Sequence, residues 1–483
     1  MAKTIFHTTE KSNFILNMTE EQYSSLAVKG LITALFAVPL FTLVPEIADK
    51  TIYVLSAAGL AVAGVINMIL ALIAIIKKYI DKRVMLPVCA MGALVAWGVV
   101  SLVNGYDMHI ALYGYSDRGE GLLAILFYFG FFTTAVSIKR EKARASLIKG
   151  IIGLGLLNSF ISVVQILTGK LGQYELADLG IETRAASGLS MSPLFLAMVL
   201  TLSLTAALIA FVTSESKKYR IICICSAALF SFVMMFTYSL IGICGLVFSV
   251  IAAVAAVFVM KAPKLRLVSV LAAAVPAALA VIIVNAGLIG NISSYRLYDG
   301  RTLWWADAYM RASASGSYNA KVVDIDDTME VYSYLNDKTM NIIHKYPWTG
   351  TGPEQLVFPQ LYTAQGFGEN TDISYIIPFN TGTFDKVYNE YLYTAATRGI
   401  PSLIALVLVL VPSLIVSVKS LRKKRNSETM ILTALLAGGV LLFFIGCSSI
   451  SFAPVFWAAA GASCADTVVG KKEKSPKNAA KKK

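Results

Sequence analysis

Arginines are the residues of this sequence whose type and placement are best suited to chemistry. Arg118, Arg184, Arg296, Arg301 and Arg311 all lie in polar segments between long apolar runs. A guanidinium group can hold a phosphate through two parallel hydrogen bonds, and it stays charged at neutral pH. If these segments share one membrane face, the arginines could hold the diphosphate of a lipid-linked sugar. Each could instead pair with a nearby carboxylate or a lipid headgroup.

Other reactive patterns are weak or missing in the sequence. The acidic stretch 323–327 resembles a metal-binding pair, but aspartates are common in polar loops. The histidines His7, His109 and His344 are scattered, and their spacing fits no zinc site. The sequence has neither a phosphate-binding glycine loop nor a G-x-S-x-G turn, and its six cysteines lie within or beside apolar runs. We therefore predict no cofactor and no metal.

The composition indicates an integral membrane protein. Of the 483 residues, 57% are hydrophobic and only 15% are charged, which is too apolar for one soluble core. The formal net charge of +13 comes from short basic clusters between apolar runs. This pattern is typical of membrane orientation and argues against nucleic acid as a partner.

Apolar runs predict the elements that must position the arginines. A membrane-spanning helix needs about 20 apolar residues, because its backbone polar groups must be satisfied internally. The run 221–260 is long enough for two spans and is best divided near Tyr238 and Ser239. The other runs are 25–45, 52–76, 84–104, 121–138, 147–168, 191–213, 267–287, 399–418, 429–446 and 448–467. They predict an all-α polytopic membrane protein of about twelve transmembrane helices, with the short last pair a possible re-entrant hairpin.

The distribution of Lys and Arg predicts the orientation of these spans. Basic clusters follow the second, fourth, sixth, eighth and tenth spans and fill the tail, so these segments should be cytoplasmic. Both termini then lie on the cytoplasmic side of the cytoplasmic membrane, and the connections 105–120, 169–190 and 288–398 lie on its outer side. The predicted divisions are an N-terminus at 1–24, spans one to nine at 25–287, an ectodomain at 288–398, spans ten to twelve at 399–467, and a basic tail at 468–483.

The predicted ectodomain is the segment where chemistry is most expected. At over a hundred residues it is far longer than a connecting loop requires, and it is rich in Tyr and Trp. Such rings pack at membrane interfaces and also stack on sugars. We predict helices at 301–311 and 328–345, and turns over 346–382. The spans contain no central charged residue, which argues against ion-coupled transport.

Several segments, taken in order, resemble the O-antigen ligase and polymerase family. The resemblance is carried by an ordered set of elements rather than by one motif. The elements are Gly114–Gly121 with Arg118 and Glu120, Arg184–Ala197, Arg301 with Trp304 and Trp305, Tyr346–Pro353 (YPWTGTGP), Phe384–Leu392 (FDKVYNEYL), and Thr397–Pro401 (TRGIP). In that family, a Pro-x-x-Gly-x-Gly element precedes a His-Asn-x-x-Leu element and a glycine that opens the next span.

The resemblance implies a glycosyltransferase-type enzyme at the outer face of the membrane. Family members join glycans carried on undecaprenyl pyrophosphate to an acceptor hydroxyl, without a metal. The partners would be a lipid-linked glycan donor, a glycan, lipid or protein acceptor, and the membrane. By this resemblance the predicted catalytic residues are Arg301, Tyr388, Asn389 and Glu390. The predicted substrate-binding residues are Arg118, Arg184, Trp304, Trp305 and Tyr391.

Two positions depart from the family pattern. Tyr388 stands where the family has histidine, and Leu240 stands where a Ser-Arg-Gly element often carries arginine. A phenol has a pKa near 10 and is a poor base at neutral pH. Tyr388 could orient the acceptor, with Glu390 or Asp385 as the base. Alternatively, a strong electrostatic pull on the leaving group could make a base nearly dispensable. The chain could also have lost catalysis.

Two other functions remain open from the sequence. A flippase or transporter of lipid-linked glycan would have a similar number of spans, although no internal repeat is visible. A catalytically inactive member could instead act as an assembly partner in the cell envelope.

Overall fold

The described part of the chain is helical throughout. The computed structural model describes residues 18–42, 49–114, 118–168, 186–237, 239–285, 325–359 and 386–465. Within these ranges, helices are joined by turns and short extended segments, and no residue lies in a β-strand. The predicted all-α class is confirmed for this part of the protein.

The helices are numbered here in chain order. They are α1 (Glu20–Phe41), α2 (Asp49–Ile76), α3 (Met85–Ser101), α4 (Met108–Tyr113), α5 (Leu122–Val136), α6 (Glu141–Thr168), α7 (Pro193–Thr213), α8 (Lys217–Met235), α9 (Leu240–Val259), α10 (Leu265–Ala272), α11 (Val275–Asn285), α12 (Ile325–Lys345), α13 (Glu390–Lys423), α14 (Ser427–Leu442) and α15 (Ala453–Cys464). The 3₁₀ turns Lys82–Val84 and Leu102–Asn104 extend α3 at its two ends.

Membrane-crossing helices account for most of the predicted spans. Among the described residues, nine stretches are long and apolar enough to cross a bilayer. Three more apolar helices, α5, α14 and α15, are between 10 and 17 residues long. All twelve lie at predicted spans, and the predicted division near Tyr238 is confirmed because α8 ends at Met235 and α9 begins at Leu240. Crossing by the three short helices stays a prediction.

Helix α7 lies at the centre of the bundle. It packs against α6, α8, α9 and α14, and it is apolar on all sides, as expected of a fully enclosed helix. Its polar side chains bond both within the helix and to its neighbours, since Thr201 Oγ1 donates to the Ala197 carbonyl at 2.7 Å and Ser203 Oγ donates to the Ile151 carbonyl of α6 at 3.1 Å. A Cβ at Gly245 of α9 would lie 1.9 Å from Thr201 Oγ1. This glycine therefore permits the close approach of α7 and α9, as small residues do between membrane helices.

Connections predicted to share a membrane side contact one another. At one end of the bundle, Lys139 pairs with Glu20 at 2.8 Å. At the opposite end, the Ile450 backbone N–H donates to the Arg118 carbonyl at 2.9 Å. The grouping agrees with the predicted alternation, and the cytoplasmic position of the first end stays a prediction.

Helix α13 is broken at Gly399. This residue has φ 80° and ψ 165°, so the helix divides into an arm at 390–398 and a longer arm from 400 to 423. A Cβ at Gly399 would lie 2.0 Å from the Trp348 carbonyl oxygen, and the Ile400 N–H donates to the Pro347 carbonyl at 2.8 Å. The predicted end of the ectodomain at 398 coincides with this break, but its last nine residues, 390–398, are already helical.

The predicted ectodomain is described in part. Helix α12 confirms the predicted helix at 328–345, and 346–359 are mainly turns. The predicted helix at 301–311 and the remainder of the predicted turn region lie outside the described residues, as do 1–17 and 466–483. Helix α12 packs against α13, and the turns at 346–359 lie beside the short arm of that helix.

Candidate active site

A buried arginine between α4 and α5 joins three carboxylates. Arg118 is 1% exposed. Its Nη2 lies 3.0 Å from Glu120 Oε2 and 3.5 Å from Glu390 Oε2, and its Nε donates to Glu354 Oε1 at 3.1 Å. Its Cζ lies 3.7 Å from the centroid of the Tyr393 ring, a favourable cation–π distance. Because a buried charge needs partners, these contacts tie two distant segments, one at Glu354 and one at Glu390–Tyr393, to Arg118.

A tight turn delivers Glu354 to this network. Gly350 and Gly352 have φ of 66° and 100°, and Glu354 itself has φ 59°. The turn lies against α13, where the Gly352 N–H donates to the Thr397 carbonyl at 2.9 Å. A Cβ at Gly350 would lie 2.3 Å from the Thr397 carbonyl carbon, so only glycine fits there. The Pro-x-x-Gly-x-Gly element is therefore a turn that fixes Glu354 against the short arm of α13.

Both carboxylate oxygens of Glu390 are already engaged. Oε1 accepts from Thr394 Oγ1 at 3.2 Å and from Arg398 Nη2 at 3.4 Å. Oε2 accepts from the Ser448 backbone N–H at 2.8 Å and faces Arg118. The residue is 4% exposed. A substrate hydroxyl could reach this carboxylate only by displacing one of these donors.

Glu120 completes the network at the start of α5. Its Oε1 accepts from the Tyr128 hydroxyl at 2.8 Å and from Ser448 Oγ at 2.7 Å. Burial raises the pKa of Glu120 to about 7, although Arg118 acts in the opposite direction. Burial also raises the pKa of Glu354, again against the effect of Arg118. Glu120 therefore titrates near neutral pH inside the folded protein.

The cavity beside this network is too small for a substrate. It is lined by Glu120, Tyr128, Glu390, Arg398 and other residues, and its volume is about 20 Å³. That space suits about one water molecule. The network is therefore a buried support that fixes the surrounding segments rather than an open substrate pocket.

Asn389 begins α13 as its N-cap. Its Oδ1 accepts from the backbone N–H groups of Tyr391 and Leu392, both at 3.1 Å. Such a cap satisfies amides that have no partner within the helix. The predicted catalytic asparagine thus has a structural role that orients the neighbouring Glu390.

Tyr388 is largely buried just before this cap. It is 8% exposed, and its ring stacks on Tyr332 of α12 with centroids 5.0 Å apart. Tyr391, on the other side of the cap, donates its hydroxyl to the Val440 carbonyl at 2.9 Å. The two predicted tyrosines therefore pack against different helices, α12 and α14.

The structure brings part of the predicted site together. Arg118 and Glu390 lie in one network, and Tyr388, Asn389 and Tyr391 flank Glu390 along the chain. Some predicted residues lie outside the described residues, so their convergence stays a prediction. These are Arg184, Arg301, Trp304, Trp305 and Asp385.

Sequence reasoning missed several members of the network. Glu354 directly follows the Gly-x-Gly-Pro turn, and Arg398 lies within the recognised Thr397–Pro401 element, so position at a recognised element was an available signal. Tyr393 donates its hydroxyl to Glu354 Oε1 at 3.0 Å, and Ser448 contacts both Glu120 and Glu390. No sequence pattern marks these last two, because their roles arise only from packing.

Comparison with known proteins supports one family. Residues 225–407 match the family described as O-antigen ligase. This match confirms the resemblance predicted from the ordered elements. It includes Glu354, Glu390 and Arg398, whereas Arg118 and Glu120 precede it. No curated protein matches the chain.

Proposed function

We propose, on the premise that residues 225–407 form an O-antigen ligase domain, that this membrane protein transfers a glycan from undecaprenyl pyrophosphate to an acceptor hydroxyl. The transfer takes place at the outer face of the cytoplasmic membrane and needs no metal. The acceptor is a glycan, a lipid or a protein. About twelve spans, cytoplasmic termini and an ectodomain at 288–398 complete this proposal.

The main support for the proposal is that three elements, far apart in sequence, meet at Arg118. The Gly114–Gly121, Tyr346–Pro353 and Phe384–Leu392 elements were singled out by family resemblance, yet they are far apart in sequence. Arg118 comes from the first, Glu354 directly follows the second, and Glu390 comes from the third. A shared buried network is expected if the three elements build one site.

The proposed reaction exchanges one bond at the anomeric carbon of the donor sugar. The acceptor oxygen forms a bond to that carbon, and the bond from the carbon to the pyrophosphate oxygen breaks. The lipid pyrophosphate leaves as an anion, which Arg184 and Arg301 would stabilise. The proton of the acceptor hydroxyl passes to a base. Trp304, Trp305 and Tyr391 would stack on or orient the sugar rings.

Arg118 acts in this proposal as a positioning residue. Direct contact with a diphosphate would require it to leave three carboxylates and a buried position. We assign it instead the task of holding Glu354 and Glu390, and through them the ectodomain turn and the start of α13. Glu390 can serve as the base only if substrate displaces a donor, and Asp385 is the alternative base.

An inactive assembly partner is the second candidate function. It is favoured by Tyr388, which replaces the family histidine and is buried against the Tyr332 ring. A phenol with an ordinary pKa near 10 is a poor base at neutral pH. This candidate keeps the membrane topology and the buried network but removes the transfer step.

Glycan analysis in the native host tests the proposal. A deletion strain is complemented with wild type, Arg301→Ala, Arg118→Ala or Arg118→Lys, and undecaprenyl-linked and surface glycans are measured by mass spectrometry. We expect each variant to lower surface glycan per molecule of protein by about a hundredfold, because small displacements at a reacting site have such effects. Accumulated single repeat units would indicate a polymerase, and accumulated long chains would indicate a ligase.

Arg144→Ala is the matched control. Arg144 is also buried, but it lies on α6 at the opposite end of the bundle, where Nη1 donates to Thr429 Oγ1 at 3.3 Å. Its removal should leave glycan transfer per molecule of protein near the wild-type value. Wild-type amounts and sizes of every surface glycan in both the Arg301 and the Arg118 variants would refute the proposal.

A further inference from the structure

A second cavity lies at the end of the bundle opposite Arg118. Its volume is about 270 Å³. It lies between the 3₁₀ turn before α3, the last turns of α13 and the end of α15, and its polar lining includes Arg83, Lys419, Lys423 and Lys424. Nothing in the glycan transfer proposed above uses it.

The charge of this cavity favours an anion. Four cationic side chains line it, and the lining carboxylate is Asp81. Asp81 is already occupied, because its Oδ1 accepts from the Arg83 backbone N–H at 3.0 Å and lies 4.0 Å from Arg83 Nε. The lining is therefore strongly positive, and an enclosed space concentrates that field.

The backbone adds to the positive field on one side. Val84 lines the cavity and is the N-cap of α3, where its own side chain makes no capping bond, whereas Asp81 caps the 3₁₀ turn that precedes it. The N-terminus of a helix carries a partial positive charge from its aligned peptide dipoles. Lys423, in the last turn of α13, also offsets the negative end of its own helix. The Arg83 side chain lies 4.0 Å from Asp81 through its Nε and is 61% exposed, so it can also contact an anion in the cavity.

Size and position narrow the class of anion. A volume of about 270 Å³ is slightly below that of drug-sized pockets, so it suits a headgroup rather than an oligosaccharide. Val84 and Val416 form an apolar part of the cavity wall beside the cationic side chains, as expected where a lipid headgroup meets its acyl chains. Arg83 and Lys423 belong to connections whose basic content predicts the cytoplasmic side. Anionic lipid is enriched at cytoplasmic surfaces, and basic pockets between helices bind its headgroups.

We propose that the cavity between the start of α3 and the end of α13 binds the phosphate of an anionic phospholipid headgroup. Lys419 and Lys423, one helical turn apart on α13, hold the phosphate from one side. Arg83 holds it from the other side. The bound lipid fastens the start of α3 to the end of α13, the same helix whose outer end carries Glu390 and Arg398.

Ligand-dependent unfolding of the full-length protein tests this site. The protein is purified in a neutral detergent, and its unfolding temperature is followed while dioctanoyl phosphatidylglycerol is added. Dioctanoyl phosphatidylcholine and inorganic phosphate are titrated in parallel. We expect phosphatidylglycerol to raise the unfolding temperature in a saturable and salt-sensitive way, and phosphatidylcholine to have no such effect.

Paired variants separate this site from general surface charge. Lys419→Gln with Lys423→Gln should weaken phosphatidylglycerol binding by about 30-fold. Arg83→Gln should weaken it from the opposite wall. The control Lys217→Gln with Lys218→Gln removes the same charge from the first turn of α8, outside this lining, and should bind as wild type does.

The outcomes decide both the site and the source of the phosphate. Binding of inorganic phosphate with the same dependence on Lys419 and Lys423 would support the anion site and assign it to soluble phosphate. Equal binding of phosphatidylcholine, or unchanged phosphatidylglycerol binding in both the double variant and Arg83→Gln, would overturn the proposal. If the Lys419→Gln, Lys423→Gln double variant is unfolded before lipid is added, the phosphatidylglycerol titration of Arg83→Gln decides the outcome.

Discussion

The Nε atom of Arg118 donates a hydrogen bond to Oε1 of Glu354 at 3.1 Å, although 236 positions separate the two residues in sequence. Both side chains are 2% exposed. The pair therefore joins the loop before α5 to the turn at 350–354 in a place that water does not reach. An ion pair of this kind is costly to break from one side, because the remaining charge stays buried without its partner.

Removing one member of this pair should destabilise the protein strongly. Glu354→Ala should lower the free energy of unfolding by about 3–5 kcal/mol, since Arg118 loses a buried partner. Denaturant unfolding of the purified protein measures this loss. Removing both side chains should cost less than the sum of the two single changes, because each single change already removes the Arg118–Glu354 contact. Additive single and double effects would show that the contact contributes no coupling.

Glu120 should make stability depend on pH. Its pKa is raised by burial from an ordinary value of 4.5 to about 7, so the folded protein binds this proton more tightly than the unfolded chain does. The resulting stabilisation is fully present below about pH 4.5 and is lost as pH rises through about 7. Glu120→Gln should therefore flatten the profile of unfolding temperature against pH between these values.

A matched control distinguishes this effect from general carboxylate titration. Glu428 lies in the first turn of α14, away from the network, and Glu428→Gln should keep the wild-type profile. A Glu120→Gln variant that retains the full wild-type slope would show that Glu120 is not the titrating group.

Asn389 should be replaceable by another capping residue. Asn389→Ala removes two hydrogen bonds to the start of α13 and should lower the free energy of unfolding by about 1 kcal/mol. Asn389→Ser retains the cap, so it should retain both stability and glycan transfer. A serine variant that is stable but transfers no glycan would instead assign Asn389 a direct catalytic role.

Gly399 should tolerate no side chain. Gly399→Ala places a Cβ about 2.0 Å from the Trp348 carbonyl oxygen in a left-handed backbone conformation. We expect a loss of a few kcal/mol in stability, together with loss of glycan transfer, because the Glu354 turn lies against this break. Gly153→Ala is the control, since its Cβ meets only Phe36 Cζ at 3.8 Å and alanine favours a helix. Protein yield and unfolding temperature are measured for both variants to compare their stability.

Tyr388→His tests whether a base is missing. If the site is active, a histidine near the acceptor should raise transfer by about tenfold or more and add a dependence on a group with a pKa near 6.5. Tyr388→Phe keeps the ring that stacks on Tyr332 but adds no titratable group, so it should not show this gain. Unchanged glycans with Tyr388→His would favour the inactive assembly partner.

Apolar run length was sufficient to predict most of the helices. The predicted break near Tyr238 and the predicted helix at 328–345 both agree with the structure. The predicted boundary at 398 did not anticipate that 390–398 are helical, because these mostly polar residues give no apolar run. An apolar run predicts a helix within the bilayer, whether lipid or protein surrounds it, and it carries no information on polar helices enclosed by protein.

The sequence alone predicted the membrane character, the all-α class and the family resemblance, and it singled out Arg118 and Glu390 as candidate site residues. These follow from hydropathy, charge distribution and ordered motifs, which are properties of neighbouring residues. Only the tertiary structure decided that Arg118 is buried, that Glu354 is its partner and that Ser448 donates to Glu390. Ion pairs form between whichever charges packing brings within reach, and that choice is made across hundreds of residues rather than within a motif.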